Sequence, residues 1–580
     1  MNQIQGIKSA IVHGTTLYYT PSETSRGRAQ PVSRSSWIAR WREELFAGMA
    51  SGFLLALSFP PFPTRFFAAV ALVPLFRYYL VKNSGAAPCI ACDAASAERC
   101  YSNAADELRA GRSPLRAWLK RGFILGFVLG ASFFTMLLFW IVHLIPASGV
   151  TMPWVLGPGL VLLVAYLSCY TALTTLALSF LVFRLGIGVI FAAPALWSLA
   201  EFARSHGELG FSWGVLANAL AIHPAAIQGV SIYGPFGLSF VLVLLNLLFA
   251  YAVFAASRPR RLGAMLAFIA IAGGHVLWGK AEIARFDKSK ISLSSTKNVA
   301  VAQPNIDLAL KWDMASRDSV FNQMEAFSVR AAAHGASLII FPETAAPVSF
   351  KATPEYLGRL QFIARSNKID ILTGYVDHTR KNDEWQAHNA AAIIRSDGVL
   401  TDNYHKVNLL PFGEKMPFSQ YVPFLSKADF GQANFIAGSK QTLFNSSAGK
   451  FGVLICFEST FSGFTRRYIQ NGADFLVNIT NDGWFGSSRG PIQHAEMAIL
   501  RSVENRVTLF RAAYTGVSMV VDPVGRVHER LGLFTEGMIY GAAERAPGPT
   551  VYTKHGDAVY FAMVLASLAL ACIPPALKRR

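Results

Sequence analysis

The fold is decided by residues 451–458, Phe-Gly-Val-Leu-Ile-Cys-Phe-Glu. The apolar run that ends at Ile455 predicts a short buried β-strand, and a thiol and a carboxylate follow it directly. Ligands usually bind at the carboxyl ends of such strands, because side chains there project from a rigid sheet into a cleft. Cys456, the only cysteine between Cys169 and Cys572, is therefore a candidate nucleophile.

The chain around this stretch, from about residue 280 to 555, alternates short apolar runs with helical patterns. This alternation is typical of a layered α/β domain. We predict strands at 298–303, 338–341, 369–375, 390–395, 452–456, 475–478 and 518–522, and helices at 314–334, 354–366, 460–471 and 491–506.

Both flanks of this domain have the composition of a membrane protein. The 580 residues are 52% hydrophobic and only 15% charged, with a mean hydropathy of +0.35, which is too apolar for an ordinary soluble protein. A helix of roughly 20 apolar residues spans a bilayer. We predict eight spans, at 44–59, 66–82, 122–145, 153–182, 185–203, 232–257, 262–279 and 558–575.

The net charge of +18 is explained by membrane topology. Basic residues cluster beside alternate spans, which marks the cytoplasmic side by the positive-inside rule. The loops 60–65, 146–152 and 204–231, and the large α/β domain, then face outward. Nucleic-acid binding is the rival explanation, but the sequence contains no RRM, zinc-finger or helix-turn-helix signature. The basic clusters are Arg34, Arg40 and Arg42; Lys120 and Arg121; Arg184; Arg258, Arg260 and Arg261; and Lys578, Arg579 and Arg580.

We therefore expect four regions. Residues 1–43 form a flexible cytoplasmic tail, 44–279 a transmembrane domain of seven helices, 280–556 an exported catalytic domain, and 557–580 a final span with a basic cytoplasmic tail. The predicted cytoplasmic loop before the third span contains Cys89, Cys92 and Cys100. Three cysteines without a nearby histidine make an incomplete zinc site, so we expect reduced thiols there and no metal.

Three segments place reactive groups at or near strand ends. Glu343 follows an apolar strand and is suited to abstract a proton, Lys406 can stabilise an oxyanion, and Cys456 supplies the thiol. Each residue also has an ordinary interpretation, as an edge carboxylate, a solvated lysine and a buried small side chain. Together they form a set for acyl transfer.

These residues resemble the Glu-Lys-Cys triad of the nitrilase superfamily. The resemblance rests on Phe341-Pro342-Glu343, on Lys406 with Pro-Phe-Gly-Glu at 411–414, on Cys456 with Glu458, and on the segment 478–485. The multispan N-terminal region, the single C-terminal span and Leu-Lys-Trp-Asp at 310–313 are similar to the membrane-embedded apolipoprotein N-acyltransferase family within that superfamily.

The resemblance implies an αββα sandwich on the periplasmic face of the bacterial inner membrane, beside about eight transmembrane helices. It implies transfer of a fatty acyl chain from a phospholipid to the α-amino group of the diacylglyceryl-cysteine of an apolipoprotein. The partners are then the phospholipid donor, the apolipoprotein acceptor and the bilayer, with no metal, nucleotide or coenzyme. We expect a monomer.

The resemblance also implies roles for individual residues. Glu343 is the proton acceptor, Lys406 the oxyanion stabiliser and Cys456 the nucleophile, which carries a thioester in a ping-pong reaction. Supporting roles are expected for Glu414, Glu458 and Phe457, and substrate contacts for Trp312 and Phe412. The aromatic loop 418–441 is a candidate lid.

Two other classes of function stay open. A membrane-anchored amidase of the same superfamily would use the triad and hydrolyse its acyl-enzyme with water. A non-enzymatic transporter or scaffold would carry an inactive domain, and the presence of all three triad residues argues against it.

Overall fold

The computed structural model describes residues 34–82, 113–144, 153–293, 298–381, 383–419, 421–422 and 434–572. The chain divides into two compact units, 1–42 and 43–580. The predicted N-terminal tail lies mostly outside the described residues. So do Cys89, Cys92 and Cys100, the loop 146–152, half of the loop 418–441 and the basic C-terminal tail.

The N-terminal half is helical. Its helices are α1 Arg34–Leu57, α2 Val73–Lys82, α3 Pro114–Leu138, α4 Leu156–Leu185, α5 Ala193–Arg204, α6 Pro224–Ile227, α7 Val230–Phe254 and α8 Arg258–Ser289. Short 3₁₀ turns at Arg65–Ala69, Phe139–Leu144, Pro153–Val155, Ile187–Ala192 and Leu216–Leu220 join or extend them.

In the described part of the chain, five helical segments are long and apolar enough to cross a membrane, and they match five of the predicted spans. These are Pro114–Leu144, Leu156–Leu185, Ile187–Arg204, Val230–Phe254 and Arg258–Ser289. The predicted final span is a shorter apolar helix, Ala558–Ala571. The prediction of one spanning helix at 66–82 is wrong. That segment is a 3₁₀ turn followed by the ten-residue α2, which rises only about 15 Å.

Helices α3 and α4 pack closely because small residues line their contact. A Cβ atom at Gly122, Gly126 or Gly130 would overlap side chains of α4. The hydroxyl of Thr171 donates to Gly126 O at 2.8 Å and that of Thr175 to Gly122 O at 2.8 Å. Close backbone approach at small residues is a general means of helix association in membranes.

The C-terminal half contains the α/β domain. Its strands are β1 Ile291–Ser292, β2 Val299–Gln303, β3 Leu338–Ile340, β4 Asp370–Lys381, β5 Glu384–Ile394, β6 Leu400–His405, β7 Leu443–Ser446, β8 Gly449–Ile455, β9 Phe475–Thr480, β10 Leu509–Ala513, β11 Ser518–Val521, β12 Val527–Leu531, β13 Gly537–Gly541 and β14 Glu544–Arg545. Two six-stranded sheets form, in the orders β12-β11-β10-β9-β8-β7 and β13-β2-β3-β4-β5-β6. All seven predicted strands are present.

The helices of this half are α9 Leu308–Trp312, α10 Arg317–Ala333, α11 Pro354–Asn367, α12 Ser462–Gln470, α13 Gly490–Asn505, α14 Val551–His555 and α15 Ala558–Cys572. Short 3₁₀ turns lie at Met314–Ser316, Cys456–Thr460 and Asp482–Phe485. The four predicted helices correspond to α10, α11, α12 and α13.

Alternate residues of the strands build the layers. Val299 and Val301 join the core shared with the other sheet, while Ala300 and Ala302 join a second core with α10 and α11. This period of two is the geometry of a strand buried on both faces. Since α12 and α13 cover the other sheet, the layers are helix, sheet, sheet, helix, as the resemblance implied.

The outer side of α13 rests on the membrane helices through buried polar contacts. The Gln493 amide oxygen accepts from the indole N–H groups of Trp140 at 3.0 Å and Trp213 at 2.9 Å. Its amide nitrogen donates to Leu137 O at 3.2 Å and Pro60 O at 3.4 Å. One side chain thus uses all its hydrogen-bonding capacity to join three membrane segments to the α/β domain.

Further contacts join the same two parts. Arg65 Nη2 pairs with Glu496 Oε1 at 3.0 Å, and Gln228 Nε2 donates to Val524 O at 2.9 Å. The loops 60–65 and 204–231 therefore lie on the same side of the membrane helices as the α/β domain, as their charge pattern predicted.

Replacement of Gln493 by leucine should destabilise the whole chain, because two indole N–H groups and two carbonyls lose buried partners. Each such loss costs about 1–3 kcal/mol before relaxation. We expect a clear fall in the midpoint of thermal unfolding in detergent, measured by tryptophan fluorescence. Gln361→Leu, on the outer helix α11, is the matched control. Equal midpoints for the two variants would contradict the assignment of Gln493 as the joint.

Candidate active site

Three predicted residues come from three strand ends. Glu343 lies three residues after β3, Lys406 directly follows β6, and Cys456 directly follows β8. The first two strands belong to one sheet and the third to the other. The carboxyl ends of these strands meet at one edge of the sandwich, which brings base, cation and thiol together.

The carboxylate of Glu343 is 7% exposed and held at both oxygens. Oε1 accepts from Asn389 Nδ2 at 2.6 Å, and Oε2 accepts from the backbone N–H of Asn481 at 2.7 Å. Lys406 Nζ lies 3.7 Å from Oε1. A carboxylate that accepts two donors in this way has a fixed orientation, as a general base needs.

The Lys406 ammonium is 1% exposed and paired. Its Nζ lies 2.9 Å from Glu414 Oε1 and 2.7 Å from Glu414 Oε2. Burial alone would lower the pKa of Lys406, but the carboxylates of Glu414 and Glu343 raise it above the ordinary value. The lysine therefore stays charged and can hold an oxyanion without exchanging its proton.

Glu414 is a bridge as well as a counterion. Besides Lys406, it accepts from Asn389 Nδ2 at 2.9 Å and from the backbone N–H of Leu410 at 2.8 Å. Glu414 thus forms an ion pair with Lys406 and orients the lysine beside Glu343.

Cys456 begins the turn Cys456–Thr460 with a φ of +51°. Left-handed backbone is uncommon for residues other than glycine and is found at strained functional positions. Burial raises the pKa of the Cys456 thiol, and the negative charge of Glu343 adds to this, while the Lys406 ammonium opposes it. The thiol is therefore protonated at neutral pH, so a base must remove its proton before it can attack.

Glu458 is fully buried. It links the residues that follow Lys406 to the end of β8, which precedes Cys456. Its Oε1 accepts from Tyr404 Oη at 2.6 Å and from the N–H groups of Val407 and Asn408 at 2.9 and 3.0 Å. Its Oε2 accepts from Ile455 N at 2.8 Å. Burial raises the pKa of Glu458 to about 7, against the opposing effect of these hydrogen bonds.

The three aromatic candidates differ in exposure. Phe457 is buried and meets Phe461 edge to face, with centroids 4.9 Å apart. Trp312 is 47% exposed and Phe412 is 57% exposed, so Phe412 does not fill the core. The described residues at the end of the candidate lid reach the site, since Phe435 N donates to Glu414 O at 3.0 Å and Gly438 N to Lys406 O at 2.8 Å.

Two polar residues beside Glu343 were not predicted from the sequence. Asn389, in the middle of β5, donates to both Glu343 and Glu414. The only sequence feature that could have indicated this residue is its position before an apolar run. Lys311 was matched within the segment 310–313 but received no role. It is fully buried, with Nζ 2.6 Å from Thr344 Oγ1 and 4.0 Å from the ring centre of Tyr514. Burial lowers the pKa of Lys311 to about 7.

A buried cluster of His494, Asp482 and Arg511 also contacts the backbone of Cys456. His494 Nε2 lies 3.2 Å from Cys456 O, and His494 Nδ1 lies 2.9 Å from Asp482 Oδ1. Asp482 also pairs with Arg511 at 2.7 Å. Burial alone would raise the pKa of Asp482, but Arg511 and His494 lower it to about 2. The cluster thus holds the turn at Cys456 with charges that are fully paired.

In the described residues, no group of three His, Cys, Asp or Glu side chains could hold a metal ion. What the site offers is a thiol, an oriented carboxylate and a paired ammonium.

Two family models match the chain. The carbon-nitrogen hydrolase model matches residues 298–546, which includes all three reactive side chains. The apolipoprotein N-acyltransferase N-terminal domain model matches residues 111–248, within the helical half.

Curated relatives match over nearly the full length. The apolipoprotein N-acyltransferase of Geobacter metallireducens is 31% identical, with 92% of this chain and 95% of that protein covered. That of Allorhizobium ampelinum is 28% identical, covering 93% of this chain and 97% of that protein.

Among solved structures, an amidase of the nitrilase superfamily from Nesterenkonia is 19% identical, with a TM-score of 0.34. The match covers 46% of this chain and 95% of the amidase. The near-complete match to the Geobacter protein, together with the two family models, establishes the membership: the chain belongs to the apolipoprotein N-acyltransferase family.

Proposed function

We propose that this protein transfers a fatty acyl chain from a membrane phospholipid to the α-amino group of the diacylglyceryl-cysteine of apolipoproteins, the last step of bacterial lipoprotein maturation. One observation carries the proposal. Cys456, Glu343 and Lys406 lie together in an α/β domain that is joined by buried polar contacts to long apolar helices. A site in that position can meet two substrates that are both embedded in lipid.

The location follows from the same reasoning. The domain at 280–556 works on the periplasmic side of the bacterial inner membrane, and the helices at 44–279 and 557–580 anchor it. The clustered Lys and Arg residues on alternate connections support this orientation by the positive-inside rule.

In the first step, Glu343 accepts the proton of the Cys456 thiol and the thiolate attacks an ester carbonyl carbon of the phospholipid. Lys406 and backbone N–H groups stabilise the oxyanion that forms. The carbon–oxygen bond of the ester then breaks, and the glycerol oxygen leaves with the proton from Glu343. A lysophospholipid departs and a thioester remains on Cys456.

In the second step, the α-amino group of the apolipoprotein attacks the thioester carbonyl. Glu343 accepts a proton from the amine and Lys406 again stabilises the oxyanion. The carbon–sulfur bond breaks, the sulfur recovers a proton, and the product is an amide. Through both steps, Glu414 and Asn389 keep the Lys406 ammonium and the Glu343 carboxylate in fixed positions.

The acyl-enzyme on Cys456 should be detectable before any acceptor is added. Full-length protein incubated with phosphatidylethanolamine alone should show a fatty acyl adduct on the peptide containing Cys456, measured by mass spectrometry after proteolysis at acidic pH. Cys456→Ala should show none, and Cys169→Ala serves as the matched control with the adduct retained. An unmodified Cys456 under conditions that support turnover would falsify the two-step route.

The lifetime of the thioester without an amine acceptor separates acyl transfer from hydrolysis. Once loaded, the thioester should persist in buffer and disappear within the turnover time when a diacylglyceryl peptide with a free amine is added. An N-acetylated peptide of the same sequence should leave it intact. Rapid release of free fatty acid without an amine would instead support the membrane-anchored amidase.

Asn389 should control the rate of acylation. Its Nδ2 donates to Glu343 Oε1 at 2.6 Å and to Glu414 Oε1 at 2.9 Å, and an aspartate at this position has no such donor and repels both carboxylates. Since a hydrogen bond to a charged group contributes about 1.5–3 kcal/mol, the rate at which the Cys456 adduct appears should fall by about tenfold or more in Asn389→Asp. Asn403→Asp, an exposed change on the neighbouring strand, should leave that rate unchanged. An unchanged rate in Asn389→Asp would contradict the role of Asn389 in orienting Glu343.

A further inference from the structure

A cavity lies between the membrane helices and the α/β domain, and Thr460, the last residue of the nucleophile turn Cys456–Thr460, lines it. Its volume is about 340 Å³, within the size range of small-molecule sites. The membrane half supplies the loop 205–218 and the kink at Pro235 and Phe236, where Gly234 has a φ of +69°. The domain supplies residues 460–467 and the side of α13.

Three arginines line this cavity: Arg501, which is buried, Arg466, which is partly exposed, and Arg467, which is exposed. Arg501 is 3% exposed and donates to Thr460 O at 3.0 Å. Its Nε, and the Nε of Arg466, are buried without a hydrogen-bond partner among the residues that the structure describes. Buried N–H groups are normally paired, so two such donors in one cavity indicate an acceptor from outside the chain.

The carboxyls nearby do not neutralise this charge. Glu504 pairs with Arg501, and burial raises the pKa of Asp557 against the opposing charges of His206, Arg466 and Arg501. Asp557 Oδ1 is itself buried without a described partner. Even with both carboxylates ionised, three guanidinium groups leave a net positive charge. Burial raises the pKa of Glu504 to about 7, which reduces the opposing charge further.

The remaining walls are partly apolar. Phe236, Phe461, Phe464 and Met497 line the cavity beside the arginines, and Arg467 stacks on the Phe464 ring at 5.6 Å. A site lined by both arginines and apolar side chains, beside membrane helices, matches a ligand with an anionic head and hydrocarbon chains. Arginine recognises phosphate in particular, because its planar donors match two oxygens at once.

We propose that this cavity binds the phosphodiester group of a membrane glycerophospholipid. The inference extends the proposed function by giving the phosphate of a lipid its own site. That site is linked to the reaction centre by one turn, since Arg501 holds Thr460 O and the Ser459 hydroxyl donates to Cys456 O at 2.9 Å. Only the glycerol carbons separate the phosphate of such a lipid from its ester groups, so a bound donor would have its esters beside this turn.

The test measures binding directly. Full-length protein with Cys456→Ala, which removes turnover, is titrated in detergent with phosphatidylglycerol and with the diacylglycerol of the same chains, and bound lipid is counted by native mass spectrometry. We expect phosphatidylglycerol to bind and diacylglycerol to bind at least about tenfold more weakly. The double change Arg466→Gln and Arg467→Gln should weaken phosphatidylglycerol binding by about tenfold or more, since a hydrogen bond to a charged group is of that strength.

Two controls separate binding from folding. Arg330→Gln removes an exposed helical arginine that stacks on Phe327, three residues earlier, as Arg467 does on Phe464, and should leave binding unchanged. The double change of Arg466 and Arg467 to lysine keeps the charge and should restore most of the binding. Equal thermal unfolding midpoints for the glutamine and lysine variants exclude a general loss of structure.

Three outcomes would overturn the inference: equal binding of diacylglycerol, undiminished binding by the glutamine variant, or displacement of the lipid by millimolar inorganic phosphate, which would mark a site for the free anion. A raised KM for phospholipid in the glutamine variant with Cys456 present would show that the bound lipid is the donor. Unchanged kinetics with lost binding would mark a resident lipid. Because binding is measured without Cys456, its failure is distinct from failure of the acyl-transfer mechanism, which the adduct on Cys456 tests.

Discussion

The site depends on one buried ion pair. A lysine ammonium with almost no solvent contact is stable only if carboxylates surround it, because an unpaired buried charge loses its hydration without compensation. Glu414 binds the ammonium of Lys406 directly, and Glu343 lies at 3.7 Å. Asn389 then donates to both carboxylates and keeps them apart. The Glu343 carboxylate, the Lys406 ammonium and their spacing are thus set by the requirement to pair a single buried charge.

The second constraint is the joint between the α/β domain and the membrane helices. It is made by specific polar groups, chiefly Gln493 and the Arg65–Glu496 pair, in addition to apolar packing. Hydrogen bonds and ion pairs of this kind form in one geometry only. They therefore hold the turn Cys456–Thr460 at a defined position relative to the membrane helices. The arginine-lined cavity is a consequence of this arrangement, because neither half of the chain encloses it alone.

Continuous apolar runs made much of the domain predictable. The strands β2, β3 and β9 are buried along their length, and β8 is buried from Phe451 onward; such apolar runs predict strands. The buried strand β10 was not predicted, because Arg511 interrupts its short apolar run. The strands β6 and β12 were missed because they alternate or expose polar residues, as in Leu-Thr-Asp-Asn-Tyr-His at Leu400–His405. The segment 66–82 was mistaken for one span because its composition is apolar, whereas tertiary packing divides it into a turn and a short buried helix.

The class of the protein, the layered domain and the three candidate residues Glu343, Lys406 and Cys456 could be predicted from the chain alone. They follow from hydropathy, periodicity and residues that stand at strand ends, all of which are local properties of the chain. Which polar groups surround the three candidates depends on tertiary packing. Asn389, Lys311 and His494 come from β5, α9 and α13, and a single sequence does not encode their distances to the triad. The same holds for the cavity, because its three arginines line a common space only where the membrane helices meet the α/β domain.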